Sequence, residues 1–161
     1  MEDVQRTGKA KAIGLSSFLK PHVEAILKVA TVKPVVNQIG FHPYLQRANN
    51  YVPWLQSQGI AVQSFFGLAP ITWAKGGPLD PVLTRIAKRH GVDESTVLIR
   101  WHLNQNVISI STTKKPERLD QYILALHLCL SDEEQKEITE VGLTHHFRIR
   151  LSEKFEPDDR T

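Results

Sequence analysis

Polar side chains stand at the predicted carboxyl ends of four short apolar segments. These ends are Ser16-Ser17, Asn37-Gln38, Ser64-Phe65 and Ser111-Thr112-Thr113. In a parallel barrel the carboxyl ends of the strands meet at one mouth, where the chemistry of such folds takes place. An amide, several hydroxyls and an aromatic face at that mouth could bind a planar ligand that carries a carboxamide. Strand ends are also polar simply because they meet solvent, and the pattern alone leaves both interpretations open.

Other groups of reactive side chains give weaker patterns. Seven histidines are present, but none forms a His-x-x-x-His pair or a His-Glu-x-x-His motif, so we expect no metal site. The single cysteine, Cys129, excludes an internal disulfide and a cysteine-based zinc site. Because it lies in the apolar run 126–130, we expect a buried and inert thiol.

Length and composition indicate a globular protein. The chain has 161 residues, of which 41% are hydrophobic and 23% are charged, and this suits one ordinary domain with a real core. No apolar run is long enough to span a membrane, and the first residues lack the pattern of a signal peptide. One cysteine suits a reducing compartment, so we expect a cytoplasmic protein.

The charge pattern argues against nucleic acid as a partner. The net charge is +3, but basic and acidic residues alternate along the chain, and no basic stripe or nucleic-acid-binding module is recognisable. We expect neither a nucleic-acid partner nor a membrane partner. The predicted organisation is one domain over residues 1–150 and a solvated polar tail over residues 151–161.

Strand patterns alternate with helical patterns along the chain. The predicted strands cover residues 12–16, 34–39, 60–65 and 107–111. The predicted helices cover residues 21–30, 49–58, 81–89, 94–104 and 116–126, and a last helix begins at Ser131 with Glu134 as its capping box. A long loop over residues 66–79 contains Trp73, which either covers a ligand or packs at the rim.

This alternation predicts an α/β fold with a parallel sheet. A doubly wound nucleotide-binding sheet would carry Gly-x-Gly-x-x-Gly, and the nine glycines never have that spacing. A Walker loop is also missing from the sequence. A (β/α)8 barrel uses about 31 residues per unit. Four such units with an extra helix and a tail account for the chain, so we predict half of a (β/α)8 TIM barrel.

Several stretches carry a specific family pattern. The most specific is Asn37-Gln38-Ile39 followed by His42-Pro43-Tyr44-Leu45-Gln46, and the others are residues 8–18, 59–62 and 116–118. In this order they resemble the C-terminal half of an aldo-keto reductase, and residues 110–119 are most similar to fungal members. The resemblance implies an oxidoreductase that binds NADP(H), or NAD(H), across the barrel mouth. Its substrate would be a small aldehyde or ketone.

The resemblance also implies which residues hold the nicotinamide. Ser16, Ser17 and Gln38 match the positions that hold its carboxamide, although the family usually has asparagine where this chain has Ser17. Phe65 stands where a tyrosine stacks beneath the ring, and a phenylalanine keeps the stacking face.

The remaining coenzyme contacts concern phosphate. Leu68 matches the loop leucine near the pyrophosphate, and Arg118 matches the arginine that contacts the 2′-phosphate. Thr112 and Gln121 replace a lysine and a glutamate that are common in the family. The predicted phosphate site therefore differs from the usual one in the family. Thr113 and Lys114 complete the residues that we expect to contact the coenzyme there.

The resemblance assigns no catalytic residue to this chain. The proton-donor tyrosine of the family, its aspartate and lysine partners and its active-site histidine come from the first four strands of the barrel. His42 is a different histidine. We therefore expect a truncated reductase that is inactive alone. The alternative is a non-catalytic half-barrel that associates with another chain or with itself through its open edges, or a remnant without activity.

Overall fold

The computed structural model describes residues 1–150, 155–156 and 158–161. Four parallel strands form one sheet in the order β1-β2-β3-β4. They are β1 (Leu15–Ser16), β2 (Val36–Gly40), β3 (Ala61–Phe65) and β4 (Val107–Ser109). The helices are α1 (Glu2–Arg6), α2 (Lys20–Val29), α3 (Tyr51–Ser57), α4 (Ala69–Thr72), α5 (Asp80–His90), α6 (Glu94–Leu103), α7 (Pro116–Leu124) and α8 (Asp132–Leu143). The predicted α/β half-barrel is confirmed.

The strand register brings the carboxyl ends of the strands to one side. Ser16 pairs with Gln38, and Gly40 pairs with Phe65. The outer strands are shorter than predicted, but backbone bonds extend their ladders. The Ile110 N–H donates to the Ser64 carbonyl at 2.9 Å beyond the end of β4. The four strand ends therefore form a common edge, as predicted.

One face of the sheet is covered and the other is open. Ile39, Val62 and Val107 are buried against the helices in the hydrophobic core. Alternate residues point to the opposite face, where Ile108 is 46% exposed. The core thus lies between the sheet and the helices, and the inner barrel face remains accessible.

Local sequence features explain the helix ends. Ser131 and Glu134 form the predicted capping box, with the Glu134 N–H donating to Ser131 Oγ at 3.2 Å. Gly91 ends α5 in a left-handed conformation at φ 65°, which a glycine adopts without steric cost. The helices predicted before and after each strand agree with the observed ones within about two residues at most ends.

Two predictions are corrected by the structure, and one helix is added. The segment predicted as a loop over residues 66–79 contains the short helix α4, and Trp73 at its end is exposed. Cys129 is exposed, so the prediction of a buried thiol is wrong. The neighbouring residue Leu128 is buried in the core, and the side chain of Cys129 faces solvent instead. Helix α1 was not predicted from the pattern of residues.

The described part of the predicted tail is docked on the domain. The Ala48 N–H donates to the Arg160 carbonyl at 2.9 Å, and an Arg160 guanidinium nitrogen donates to the Leu143 carbonyl at 3.1 Å. The described residues of the predicted tail thus contact the domain, while Asp158 and Thr161 remain exposed. Residues 151–154 and 157 of the same prediction lie outside the described residues.

Within the described part of the chain, no helix combines the length and the apolar character that crossing a bilayer requires.

Candidate functional site

The residues at the ends of β1 and β2 form a polar cluster. Ser16 lies opposite Gln38 in the sheet, and the Ser17 N–H donates to the Gln38 carbonyl at 2.8 Å. Gln38 Nε2 donates to Gln63 Oε1 at 3.0 Å. Sequence reasoning did not select Gln63, although its position two residues before Phe65 puts it on the same face of β3. The structure therefore brings Ser16, Ser17 and Gln38 together.

Two aromatic rings stand beside this cluster at the end of β3. Phe65 is half-buried, and its ring meets that of Phe66 edge-on at 5.5 Å between centroids. Gly40 lies opposite Phe65, and a Cβ at this position would come within 3.3 Å of the Phe65 ring. The absence of a side chain at Gly40 thus leaves room for the Phe65 ring.

A first cavity of about 260 Å³ opens between these rings and the segment that follows α8. Its lining includes Ser17, Gly40, His42, Phe65 and Phe66. Burial lowers the pKa of His42 to about 3, so this imidazole is neutral near pH 7. Ser17 and Phe65 are therefore members of one concave surface.

A second cavity of about 420 Å³ lies between α4 and the segment that leads from β4 into α7. Leu68, Thr112 and Arg118 line it together with Trp73 and Tyr122. Phe66 lines both the first and the second cavity. Of the residues predicted to contact phosphate, these three therefore lie together, next to Phe65 and Phe66.

Thr113, Lys114 and Gln121 do not line either cavity. Thr113 Oγ1 accepts a hydrogen bond from the Lys115 N–H at 3.1 Å and shapes the turn before α7, while Lys114 is exposed. Gln121 Oε1 accepts from Thr96 Oγ1 at 3.3 Å, which ties α7 to α6. The structure gives Thr113 and Gln121 contacts of their own within the fold.

Two of the three tyrosines are held by internal hydrogen bonds. Tyr44 is buried, and its hydroxyl accepts from the Leu79 N–H at 2.9 Å. The Tyr51 hydroxyl donates to the Phe18 carbonyl and accepts from Asn37 Nδ2, and burial raises the pKa of Tyr51 to about 12. None of the three tyrosines lines the first cavity.

Metal-binding side chains do not converge in the described residues. No group of three or more His, Cys, Asp or Glu residues there is arranged to hold a metal ion. The polar cluster and the two cavities are therefore built from hydroxyl, amide, aromatic and guanidinium groups.

A model of the Aldo/keto reductase family matches residues 1–142, which is most of the sequence. This chain belongs to the aldo/keto reductase family. The family resemblance inferred from residues 8–18, 37–39, 42–46, 59–62 and 116–118 is confirmed.

Individual relatives of this aldo/keto reductase chain are about twice its length. It is 32% identical over 149 residues to the NAD/NADP-dependent indole-3-acetaldehyde reductase of Schizosaccharomyces pombe, and the match covers 92% of this chain and 52% of that protein. It is 33% identical over 150 residues to the NADPH-dependent alpha-keto amide reductase of Saccharomyces cerevisiae, covering 90% and 48%. The chain thus spans about half the length of the curated relatives it matches.

A solved structure supports the same fold. The aldose reductase of Giardia lamblia superposes with a TM-score of 0.84 over 99% of this chain and 54% of that chain, at 23% sequence identity. The four strands and their helices are therefore half of a barrel of this type.

Proposed function

We propose that this chain is the coenzyme-binding half of an NADP(H)-dependent aldo-keto reductase that reduces aldehydes or ketones to alcohols. The observation that carries the proposal is the convergence of Ser16, Gln38 and Phe65 at one edge of the sheet. When bound, a nicotinamide coenzyme supplies the hydride for such a reduction. The residues of this chain bind and orient it.

The hydrogen bonds of Gln38 support a carboxamide contact. Its Nε2 donates to Gln63 Oε1, and this bond fixes which end of the amide faces outward. Among the described residues none donates to Gln38 Oε1, so this oxygen can accept from the amide nitrogen of a carboxamide. Ser16 and Ser17 are exposed residues beside Gln38, and their hydroxyls can serve as further partners.

The placement of Phe65 supports ring stacking. The ring is half-buried and is supported by Phe66 at 5.5 Å. A flat aromatic face at the edge of a cavity is suited to an offset stack with a planar ring. Burying both rings would also exclude water from that side of the nicotinamide.

The second cavity supports a phosphate contact. Arg118 and Thr112 line it with Leu68, and a guanidinium can meet a phosphate with two parallel hydrogen bonds. Lys114 stands exposed at the same turn, and Thr113 shapes that turn through its bond to Lys115. Gln121 completes the proposed set only indirectly, because its side-chain oxygen is used by Thr96.

The proton donor of the proposed reaction lies outside this chain. The hydroxyls of Tyr44 and Tyr51 are used in internal hydrogen bonds, and Tyr122 lines the second cavity. A positioned general acid contributes about 10²–10⁴-fold to such a reaction. A complementary half-barrel must therefore supply it.

The open sheet face supports association with such a half-barrel. Ile108 and Ile110 are 46% and 41% exposed on β4 and just beyond it, and α7 exposes Leu119 and Ile123. In the described part of the chain, no further strand pairs with the outer sides of β1 and β4, and such sheet edges are prone to pair with another chain. We infer that a second half-barrel covers this face, from another polypeptide segment or a second copy. Sedimentation of a compact monomer would contradict this.

Direct coenzyme binding tests the proposal. NADPH is titrated into the purified chain while its fluorescence is recorded, and binding is expected to increase the signal as the ring leaves water. Phe65→Ala and Gln38→Leu should each weaken binding by about tenfold, which corresponds to about 1.4 kcal/mol. Gln5→Leu on α1 is the matched control and should not change it. No binding by the folded parent chain would reject the proposal.

One cysteine and a soluble coenzyme suit a cytoplasmic enzyme.

A further inference from the structure

A third cavity, of about 380 Å³, lies between the segment that runs from the end of β2 through α3 and the turn that joins α6 to β4. It shares only Arg47 with the first cavity and no lining residue with the second. Five of its lining residues carry a side-chain amide, and we call it the amide groove. These residues are Gln46, Asn50, Gln56, Gln105 and Asn106.

Gln46 is fixed in one orientation at the wall of the amide groove. Its Nε2 donates to the Pro43 carbonyl at 2.9 Å and to the Thr139 carbonyl at 2.8 Å. A glutamine amide has two N–H donors and one acceptor oxygen, so both donors are used. The opposite orientation of the amide would place its oxygen against two carbonyl oxygens. Oε1 therefore remains as an acceptor that points away from both carbonyls.

Gln56 and Gln105 are held in the same way. Gln56 Nε2 donates to the carbonyls of Gln105 and Asn106 at 2.7 and 3.3 Å, which uses both of its donors. Gln105 Nε2 donates to the Trp101 carbonyl at 3.0 Å. Among the described residues, no donor reaches the Oε1 atom of any of the three glutamines. The amide groove thus presents three acceptor oxygens.

The acceptors are ordered by the fold before any ligand arrives. Gln46, Gln56 and Gln105 are half-buried, and their bonds tie α3 to the turn before β4 and the end of β2 to α8. Ordering a long side chain at a binding site costs free energy, and a side chain that is already held does not incur this cost on binding. Three anchored oxygens on one concave surface are therefore suited to a ligand that donates several hydrogen bonds.

Apolar side chains complete the lining of the amide groove. Phe41 and Val52 are buried, and Pro53 is exposed beside them. The Phe41 ring is stacked on that of Trp101 at 5.4 Å between centroids, which keeps it in place. Small-molecule sites combine such apolar surface with a few fixed polar groups, and a volume of about 380 Å³ falls within their usual range. The C–H face of a saturated ring can pack on this surface.

The charge of the lining disfavours a cationic ligand. Among the described residues that line the amide groove, none carries a carboxylate. Arg47 is part of the lining, and although burial lowers its pKa to about 10, it is a cation at neutral pH. A hydroxyl group both donates and accepts, so it can donate to a glutamine oxygen while its own oxygen accepts from Arg47. Neutral hydroxyl groups therefore fit the lining better than ammonium groups do.

We propose that the amide groove binds a neutral polyhydroxylated molecule, a sugar or a sugar alcohol, whose hydroxyls donate to the Oε1 atoms of Gln46, Gln56 and Gln105. The groove does not contain the residues proposed to hold the nicotinamide. This second site is thus independent of the proposed reductase activity.

Titration with myo-inositol tests the site. This ring carries a hydroxyl on every carbon and has no carbonyl group that a reductase could use. The side-chain amide signals of the ¹⁵N-labelled chain are followed by NMR, with 1,4-dioxane as a ring of the same size whose oxygens only accept. We expect saturable shifts at Gln46, Gln56 and Gln105, with myo-inositol bound about tenfold or more tightly than dioxane, since each added hydrogen bond contributes about 0.5–1.5 kcal/mol.

Three results of this titration would overturn the proposal. They are no saturable shift with myo-inositol, equal binding of both rings, and shifts that occur elsewhere on the chain but not at the three glutamines. These results come from the parent chain and do not depend on the folding of any variant.

Variants assign the binding to single oxygens. Methionine has nearly the length of glutamine but no amide oxygen, so Gln56→Met and Gln105→Met should each weaken myo-inositol binding by about threefold to tenfold. Gln58→Met, at the end of the same helix α3 but outside the amide groove, is the matched control and should not change it. Backbone NMR spectra check the fold of each variant. Unchanged affinity in folded Gln56→Met and Gln105→Met contradicts the proposal.

Two further measurements separate this proposal from its alternatives. Methylammonium chloride, compared with sodium chloride at equal ionic strength, should not displace myo-inositol. Displacement by methylammonium at similar concentration would show a cation site and overturn a polyol site. NADPH binding is measured on the same sample. Binding of myo-inositol without NADPH leaves the polyol site standing and rejects the proposed function, and binding of NADPH without myo-inositol does the reverse.

Discussion

Ser17 and Phe66 both adopt left-handed backbone conformations, at φ 59° and 55°, and both line the first cavity. Non-glycine residues rarely adopt this conformation, and a bulky one such as phenylalanine pays a steric penalty there. Such residues persist where the surrounding structure holds them, and they concentrate at functional sites. Their shared location is independent support for a binding role of this cavity.

Replacing Ser17 by asparagine should stabilise the fold. Asparagine tolerates the left-handed region better than serine does, because its short amide makes local hydrogen bonds. We expect Ser17→Asn to raise the free energy of unfolding by up to about 1 kcal/mol, measured by urea denaturation. Ser16→Asn, in the extended strand β1, is the matched control and should give no gain. A gain of equal size in both variants would show that φ is not the cause.

Arg118→Ala should weaken the binding of NADPH and leave the binding of NADH nearly unchanged. The 2′-phosphate distinguishes NADPH from NADH, and a charged hydrogen bond contributes about 1.5–3 kcal/mol. Because Arg118 is exposed, we expect the lower end, a loss of about tenfold for NADPH, and little change for NADH in fluorescence titrations. Arg6→Ala is the control. Equal losses for both coenzymes would indicate that Arg118 supports the fold instead.

The chain alone should not turn over a carbonyl substrate. It lacks an available phenol at the first cavity, as the contacts of Tyr44 and Tyr51 indicate. We expect the oxidation of NADPH in the presence of a simple aldehyde to stay at background. The oxidation is measured as the loss of absorbance at the nicotinamide band. Steady turnover by the purified chain would mean that another acid serves, and the proposed division of labour between two half-barrels would be wrong.

Acid should destabilise the fold through two buried histidines. Burial lowers the pKa of His42 to about 3 and that of His102 to about 4, against 6.5 for an unperturbed imidazole. Between about pH 6.5 and pH 4 the unfolded chain therefore binds protons that the folded chain excludes. The stability present above pH 6.5 is lost as the pH falls, by about 1.4 kcal/mol per unit for each histidine.

Urea denaturation between pH 7 and pH 5 measures this loss. His102→Gln should make the slope of the unfolding free energy against pH shallower, even if it also lowers stability at pH 7. His127→Gln changes an exposed histidine and should leave the slope as it is. A slope that is identical in the parent chain and in folded His102→Gln would exclude this histidine as a source of the pH dependence.

The order of strands and helices, the parallel half-barrel and the family could be predicted from the amino-acid sequence. Strand and helix patterns are local, since alternation and helical periodicity arise from neighbouring residues. The Ser131–Glu134 capping box is one example, because both partners lie within one helical turn. The convergence of Ser16, Gln38 and Phe65 followed from the rule that parallel strands end at one edge.

Which side chains share a cavity could not be predicted from the sequence, because it depends on how distant segments pack. Arg47 and Arg148 are far apart in the chain and meet because the segment after α8 returns to the end of β2. The bond between Gln38 and Gln63 depends on the register of two strands, and the exposure of Cys129 depends on Leu128 filling the core. Such contacts depend on long-range packing, which local periodicity does not encode, so the charge and shape of the cavity emerge only when the chain is folded.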